Sequence, residues 1–298
     1  MKGLFLFFSL LTLSLYGQQY GQNAMHVGED CRQYQATVFP QDTSQLWIGD
    51  GDINRDTVLI VGEGGPKRHL DFESNGRVYW EYLPNQDHYY IAVVHQSSTY
   101  NSTIFGATDF TLEDAFKEVD NTSEILFRAI KYFKNRGKYV VVLGHSYSAF
   151  VIPHYLSTRP SLADKYLITG GRLDANLEQT ALQLKGLNSG FEEDGKTLIK
   201  PKAKPNPYRR ARYKTIRKNK ELLKYALGKT RYTEALKDID LSNLIFYYGT
   251  KDQNVGVLSS KERTFLKAKN ATLVGVETDH YNIWKRVIDA FDEGRLRL

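Results

Sequence analysis

Tyr139-Val140-Val141-Val142-Leu143-Gly144-His145-Ser146-Tyr147-Ser148-Ala149 is the stretch on which the reading of this chain turns. Five strand-forming residues run straight into Gly-His-Ser-Tyr-Ser, and Ala149 to Leu156 continues in a helical pattern. A serine on a sharp strand-to-helix turn has its hydroxyl lifted above the sheet edge, where a substrate can reach it. Such a turn presses strand and helix backbones together, so the positions two before and two after the serine must be small. Gly144 satisfies this; Ser148 is small but stands where the pattern has glycine. An ordinary strand-to-helix turn is the plainer reading of five residues alone, so the rest of the chain has to supply the context.

Working outward, the chain alternates between apolar strands and helical segments. Thr57 to Val61, Tyr90 to Val94, Tyr166 to Thr169, Leu244 to Tyr248 and Ala271 to Val276 are short, rich in β-branched and aromatic residues, and most stop at glycine. A weaker strand is expected around Ala36 to Phe39. Helical spacing runs from Leu112 to Phe133 and again from about Tyr281 to Phe291. Strands alternating with helices predict an α/β fold, a mostly parallel sheet flanked by helices on both faces. Ligands in such sheets sit beyond the carboxyl ends of the strands, so chemistry should cluster there.

It does. Asp252 follows the strand ending at Tyr248, and His280 follows the last strand, giving the chain order Ser146, Asp252, His280. A serine hydroxyl is a poor nucleophile until a base takes its proton. His280 is positioned to do so, with Asp252 holding the imidazole in the useful tautomer. Each residue alone reads as well as a turn or capping residue; their joint placement argues otherwise. Asp279 is adjacent in sequence to the histidine it would have to face, and Asp174 is the better reserve acid. His145 reads as a packed neighbour, and His26, His69, His88, His95 and His154 show no metal-ligand spacing. An oxyanion needs two backbone donors: the N–H of Tyr147 and one from Gly62-Glu63-Gly64-Gly65-Pro66, where glycines allow close approach.

Over Val58 to the C-terminus the chain resembles the α/β-hydrolase superfamily. The early loop there often reads His-Gly-Gly-Pro, and Glu63-Gly64-Gly65-Pro66 stands at that place here. By that match Gly65, or failing it Gly64, donates the second oxyanion bond, and the Glu63 carboxylate must point away or pair with a cation. The resemblance implies a serine hydrolase working on a small-molecule ester or acyl substrate through an acyl-serine intermediate. Carboxylesterase, lipase-like and peptidase activities all stay open, and no metal or organic cofactor is implied. A non-catalytic binding protein on the same scaffold is the rival reading.

The chain has 298 residues with an ordinary globular composition, 41% hydrophobic and 25% charged. Residues 172–240 break the strand–helix rhythm and read as a helical cap insertion over the site, leaving 18–298 as one hydrolase domain. Eleven of the 40 Lys and Arg residues fall between Lys196 and Lys220, where no Asp or Glu occurs, so the other 29 are outnumbered by 34 acidic residues. That charge could draw anionic substrates, anionic surfaces or nucleic acid; a solvated lid is the plainer reading. Lys2 followed by the apolar run Leu4 to Leu15 and then Gly17 reads as a signal peptide over 1–17, too short to span a bilayer comfortably. The expected product is a secreted or periplasmic protein without a membrane anchor. Cys31 is the single cysteine, so no internal disulfide can form.

Overall fold

A strand covered on both faces must be apolar at nearly every position, because alternate side chains point to opposite sides. The computed structural model, which describes residues 33–70, 88–101, 103–201 and 211–296, contains five largely buried strands of this kind and a sixth at a sheet edge with no fully buried position. They are β2 (Thr57–Gly62), β3 (Tyr89–Val94), β4 (Tyr139–His145), β5 (Lys165–Thr169), β6 (Leu244–Gly249) and, at the edge, β7 (Thr272–Val276). With β1 (Trp47–Asp50) they form a seven-stranded sheet of order β1-β3-β2-β4-β5-β6-β7. Every pairing is parallel except that of β1 with β3.

The six apolar runs of the sequence thus become six neighbouring strands, while the N-terminal expectation needs correction. Residues 36–39 form no strand. Their polar groups are taken by helix and loop side chains instead: the Thr37 N–H and hydroxyl donate to Glu118, at 3.0 and 2.6 Å. The edge strand is β1, ten residues on, which carries a glycine that masks it in sequence. Gly49 is required there, since a Cβ would lie 1.8 Å from the Tyr90 hydroxyl across the ladder.

The helices of eight or more residues are α1 (Leu112–Lys134), α2 (Tyr147–Thr158), α3 (Leu177–Leu184), α4 (Ala211–Gly228), α5 (Ser260–Ala268) and α6 (Ile283–Asp292). Alternation along the strands divides the core in two. Val58, Ile60, Val140, Val142 and Ile168 face the side covered by α1, α2 and α4. Leu59, Val61, Val141, Leu143 and Leu167 face the other side, against Ile283, Trp284 and Val287 of α6. Thr111 starts α1 by accepting from the Asp114 N–H while Asp114 accepts from the Thr111 N–H, a reciprocal cap.

The segment between β5 and β6 carries α3, α4 and a single turn at Tyr232–Ala235. It is fastened to the body of the protein. Leu222, Leu223, Ala226 and Leu227 of α4 are buried in the same cluster as α1 and α2, and the Asn219 side chain donates to the Ile104 and Ala107 carbonyls at 2.7 and 2.8 Å. The expected signal segment 1–17, Cys31, and Lys202, Lys204, Arg209 and Arg210 of the basic run lie outside the described residues.

Leu223→Ala should therefore lower the stability of the whole domain by about 2–5 kcal/mol, read as a shift of a single urea transition at unchanged slope. An unchanged midpoint would mean that α4 folds apart from the sheet.

Candidate active site

Strand β4 ends at His145 and α2 begins at Tyr147, leaving Ser146 alone to make the turn. Its backbone sits at φ 56°, ψ −111°, a region that L side chains rarely occupy. Such a conformation costs of order 1–3 kcal/mol and persists only where neighbours over-determine it. The Ser146 N–H donates to the Thr169 carbonyl of β5 at 3.1 Å, and its own carbonyl accepts from Ala149 N–H at 3.0 Å. Small residues let the parts close on one another. A Cβ on Gly144 would lie 2.8 Å from the Ser148 carbonyl oxygen, and one on Gly171 would lie 2.3 Å from the Ala149 methyl. Ser148 is accommodated because Gly62, in register with Gly144 on β2, leaves it room. The Ser148 hydroxyl uses that room to donate to the Glu63 carbonyl at 2.6 Å.

The three residues singled out in the sequence come together. His280 Nε2 lies 2.9 Å from Ser146 Oγ, and its Nδ1 lies 2.8 Å from Asp252 Oδ2. An ionised carboxylate only accepts, so the proton on the ring belongs to Nδ1 and Nε2 is left to accept from the serine. The other carboxylate oxygen, Oδ1, accepts the N–H groups of Asn254 and Val255 at 2.9 and 3.0 Å, which holds Asp252 in place. Asp252 and His280 are both buried. Their loops are pinned by backbone bonds from Thr250 to Val276 and from Lys251 to Thr278, at 2.9 and 3.1 Å.

The reserve candidates lie elsewhere. Asp174 accepts from the Thr233 N–H and hydroxyl at 3.1 and 2.7 Å and pairs with Arg231 at 3.1 Å. Asp279 caps the turn into α6, accepting from the Tyr281 and Asn282 N–H groups. His145 stacks beside His280 with ring centroids 4.9 Å apart, and its Nδ1 is 3.0 Å from the Thr169 hydroxyl. Burial first, and the neighbouring His280 second, hold its pKa well below the ordinary imidazole value. His145 is thus neutral at pH 7 and places no cation beside His280.

Gly64 is the glycine packed against the nucleophile: a Cβ on it would lie 3.3 Å from Ser146 Cβ and 3.6 Å from Oγ. Gly65 faces Gln96 instead. Tyr147 opens α2, so its N–H belongs to the donor-rich first turn of that helix. The Glu63 carboxylate turns to a cation, with Lys67 Nζ 3.1 Å away. Sequence reading overlooked Gln96, which clamps this whole loop. Its Nε2 donates to the Glu63 and Gly64 carbonyls, each at 3.0 Å, and its Oε1 accepts from the Lys67 N–H at 3.0 Å. The available signal was its position, directly after the carboxyl end of buried strand β3.

Ser146, Tyr147, Gly64 and His280 open on a cavity of about 540 Å³. Its far wall comes from α3, α4 and the 188–190 loop, so the insertion between β5 and β6 frames the site. Among the described residues no cluster of His, Cys, Asp and Glu side chains could hold a metal ion, and no helix is long and apolar enough to cross a membrane.

No family model matches the chain, and no curated protein does. Among solved structures, ferulic-acid-bound Est1E from Butyrivibrio proteoclasticus is similar over 84% of this chain and 93% of its own, at 15% identity and TM-score 0.51. MGS-M2, an α/β hydrolase enzyme from a Medee basin deep-sea metagenome library, is similar over 85% and 94%, at 13% identity and TM-score 0.50. The chain has the α/β-hydrolase fold, as its sequence suggested.

Ser146→Gly removes a side chain from an unfavourable backbone conformation. It should raise the melting temperature, by the equivalent of about 1 kcal/mol after the extra freedom of glycine in the unfolded chain is deducted. A drop in melting temperature would show that the hydrogen bond to His280 outweighs the strain.

Proposed function

We propose that this protein is a serine hydrolase that cleaves carboxylic esters through an acyl-Ser146 intermediate. The observation that carries the reading is the continuous hydrogen-bonded line from Ser146 Oγ through His280 to Asp252, with the serine at the mouth of a cavity. Ser146 Oγ attacks the substrate carbonyl carbon while His280 Nε2 accepts the hydroxyl proton. The carbonyl π-pair moves onto oxygen, where the Tyr147 N–H and an N–H of the Gly64-Gly65 segment stabilise the negative charge. The positive end of α2 adds to that stabilisation. Collapse of the intermediate breaks the bond to the alcohol oxygen, which leaves with the proton from His280. Water then attacks the acyl carbon, giving its proton to His280, which returns it to Ser146 as the acid departs. Asp252 keeps the ring oriented and stabilises the imidazolium in both halves.

The fold shared with MGS-M2, an α/β hydrolase enzyme, supports the reaction class, and the chain's own cavity supports a small-molecule substrate. The same proposal includes export by residues 1–17 and a capping role for residues 172–240.

A panel of 4-nitrophenyl esters of increasing acyl length, run beside aminoacyl anilides, tests catalysis and leaving-group class together. Wild type should hydrolyse at least one ester and take up a fluorophosphonate label. Ser146→Ala should lose both, and Asp252→Asn should lower kcat by about 10³–10⁴. Equal labelling of wild type and Ser146→Ala would favour a binding protein on a hydrolase scaffold.

Gln96→Leu should lower kcat about 10–100-fold with little change in KM. The Glu63 and Gly64 carbonyls and the Lys67 N–H would lose their partner, and the loop that supplies an oxyanion donor would lose its fixed position. A rise in KM at constant kcat would instead place Gln96 in substrate binding.

A further inference from the structure

The lysines that line the cavity are Lys67, in the loop beside Ser146, and Lys220 and Lys224 on α4, and among the described residues no carboxylate lines it. Two of these lysines are already engaged. Lys67 pairs with Glu63, and Lys224 Nζ lies 3.0 Å from Glu221 Oε1 and 3.3 Å from Asn188 Oδ1. Lys220 has no hydrogen-bond or ion-pair partner among the described residues, although α4 holds it half-buried at the cavity surface.

An ammonium partly withdrawn from water with no direct partner, and with the nearest carboxylate, Glu221, already paired to Lys224, is unfavourable on its own and suited to an anionic ligand. Burial first, and the like charge of Lys224 second, lower the Lys220 pKa, with Glu221 opposing the shift and Lys67 adding a smaller contribution to it. Two neutral groups on the same wall are also incomplete. Gln183 Oε1 and Ser189 Oγ are buried without a hydrogen-bond partner among the described residues, and both residues line the cavity. The wall therefore presents one cation, one acceptor and one hydroxyl to whatever fills the space.

We propose that Lys220 is a specificity-determining residue, and that the substrate is an ester whose unreacting end carries an anionic group together with hydroxyls. The anion would sit on Lys220 with Lys224 and Lys67 adding to the local positive field, Ser189 would donate to it, and Gln183 would accept from a substrate hydroxyl. This rests on the acyl-transfer reading above and names the substrate class of the same site. It also locates the part of the insert's basic charge that matters to the site on α4, at Lys220 and Lys224, rather than in the run as a whole.

The test compares esters matched in size. On the acyl side, 4-nitrophenyl hydrogen glutarate is set against 4-nitrophenyl butyrate. On the alcohol side, 3-carboxy-4-nitrophenyl butyrate is set against the same neutral ester. Wild type should prefer at least one anionic ester by about 10–100-fold in kcat/KM, the range of a charge-assisted hydrogen bond. The arm that shows the preference tells which side of the ester faces the wall. The preference should shrink as sodium chloride is raised to 0.5 M, collapse towards one in Lys220→Met and be retained in Lys220→Arg.

A neutral ester turned over with no anionic preference would overturn the proposal while leaving the esterase reading standing. So would a preference that survives Lys220→Met. Should no ester be turned over, calorimetry on Ser146→Ala protein with 4-nitrophenyl hydrogen glutarate decides the anion site independently. Binding that weakens tenfold or more in the Ser146→Ala/Lys220→Met protein supports it, and equal or absent binding sinks it.

Discussion

A non-glycine residue at positive φ between a strand and a helix is an unstable thing on its own, and most of the site can be understood as what holds it there. Ser146 stays at φ 56° because β5 takes its N–H, α2 takes its carbonyl, and Gly62, Gly144 and Gly171 stand where strands and helix close on the turn. Gly62 and Gly144 are paired in register on adjacent strands, so the space they leave is shared by both strand ends. Helix α2 descends into that space. Close approach in turn puts the first turn of the helix, with its unpaired N–H groups, against the serine hydroxyl. The strain that exposes the Ser146 hydroxyl and the N–H groups brought up to it are two results of a single packing arrangement.

The loop that faces Ser146 is secured by different means. The loop after β2 is too short and too rich in glycine to fix itself, and its shape is imposed from two sides. Gln96 holds it from the end of β3 through three hydrogen bonds, and Ser148 holds it from α2 through one. In sequence Ser148 looks like a flaw in a glycine pattern. In the structure it ties the nucleophile helix to the loop that faces it, so movement of one is coupled to movement of the other. Glu63, the other irregular residue, is neutralised by Lys67 four positions on, which keeps a carboxylate from opposing charge that develops on a substrate oxygen.

Much of this was legible before any coordinates. Strands β2 to β6 announce themselves because burial on two faces demands unbroken apolar runs, and Ser146, Asp252 and His280 are each found by looking just past a strand end. What was not legible depends on side chains meeting across long separations. Strand β1 is short, edge-located and interrupted by Gly49, so its pattern is no stronger than that of residues 36–39, whose polar atoms are taken up by Glu118 of a helix 81 residues away. Gln96 has no motif around it; only the loop it grips gives it meaning. The break in the strand–helix rhythm marks the insertion between β5 and β6 but not what places α4, an ordinary apolar face of Leu222, Leu223, Ala226 and Leu227 packed on α1 and α2.

That packing decides what the charge can do. Had the basic segment been tethered only at its ends, its lysines would average over solvent and contribute little beyond a diffuse field screened within about 8 Å at physiological salt. Because α4 is anchored by its apolar face and by Asn219, Lys220 and Lys224 are carried at fixed positions on the rim of that face, over the same cavity that holds Ser146. Fixed charges in a partly enclosed, partly dry space act far more strongly than mobile ones at a surface. The Asp252 carboxylate, of opposite sign, is enclosed behind His280 and accepts two backbone N–H groups. The cavity therefore presents positive charge to a substrate and keeps its negative charge out of reach. A neutral ester has no use for that polarity, whereas an anionic one is oriented by it with its reacting carbonyl towards the serine.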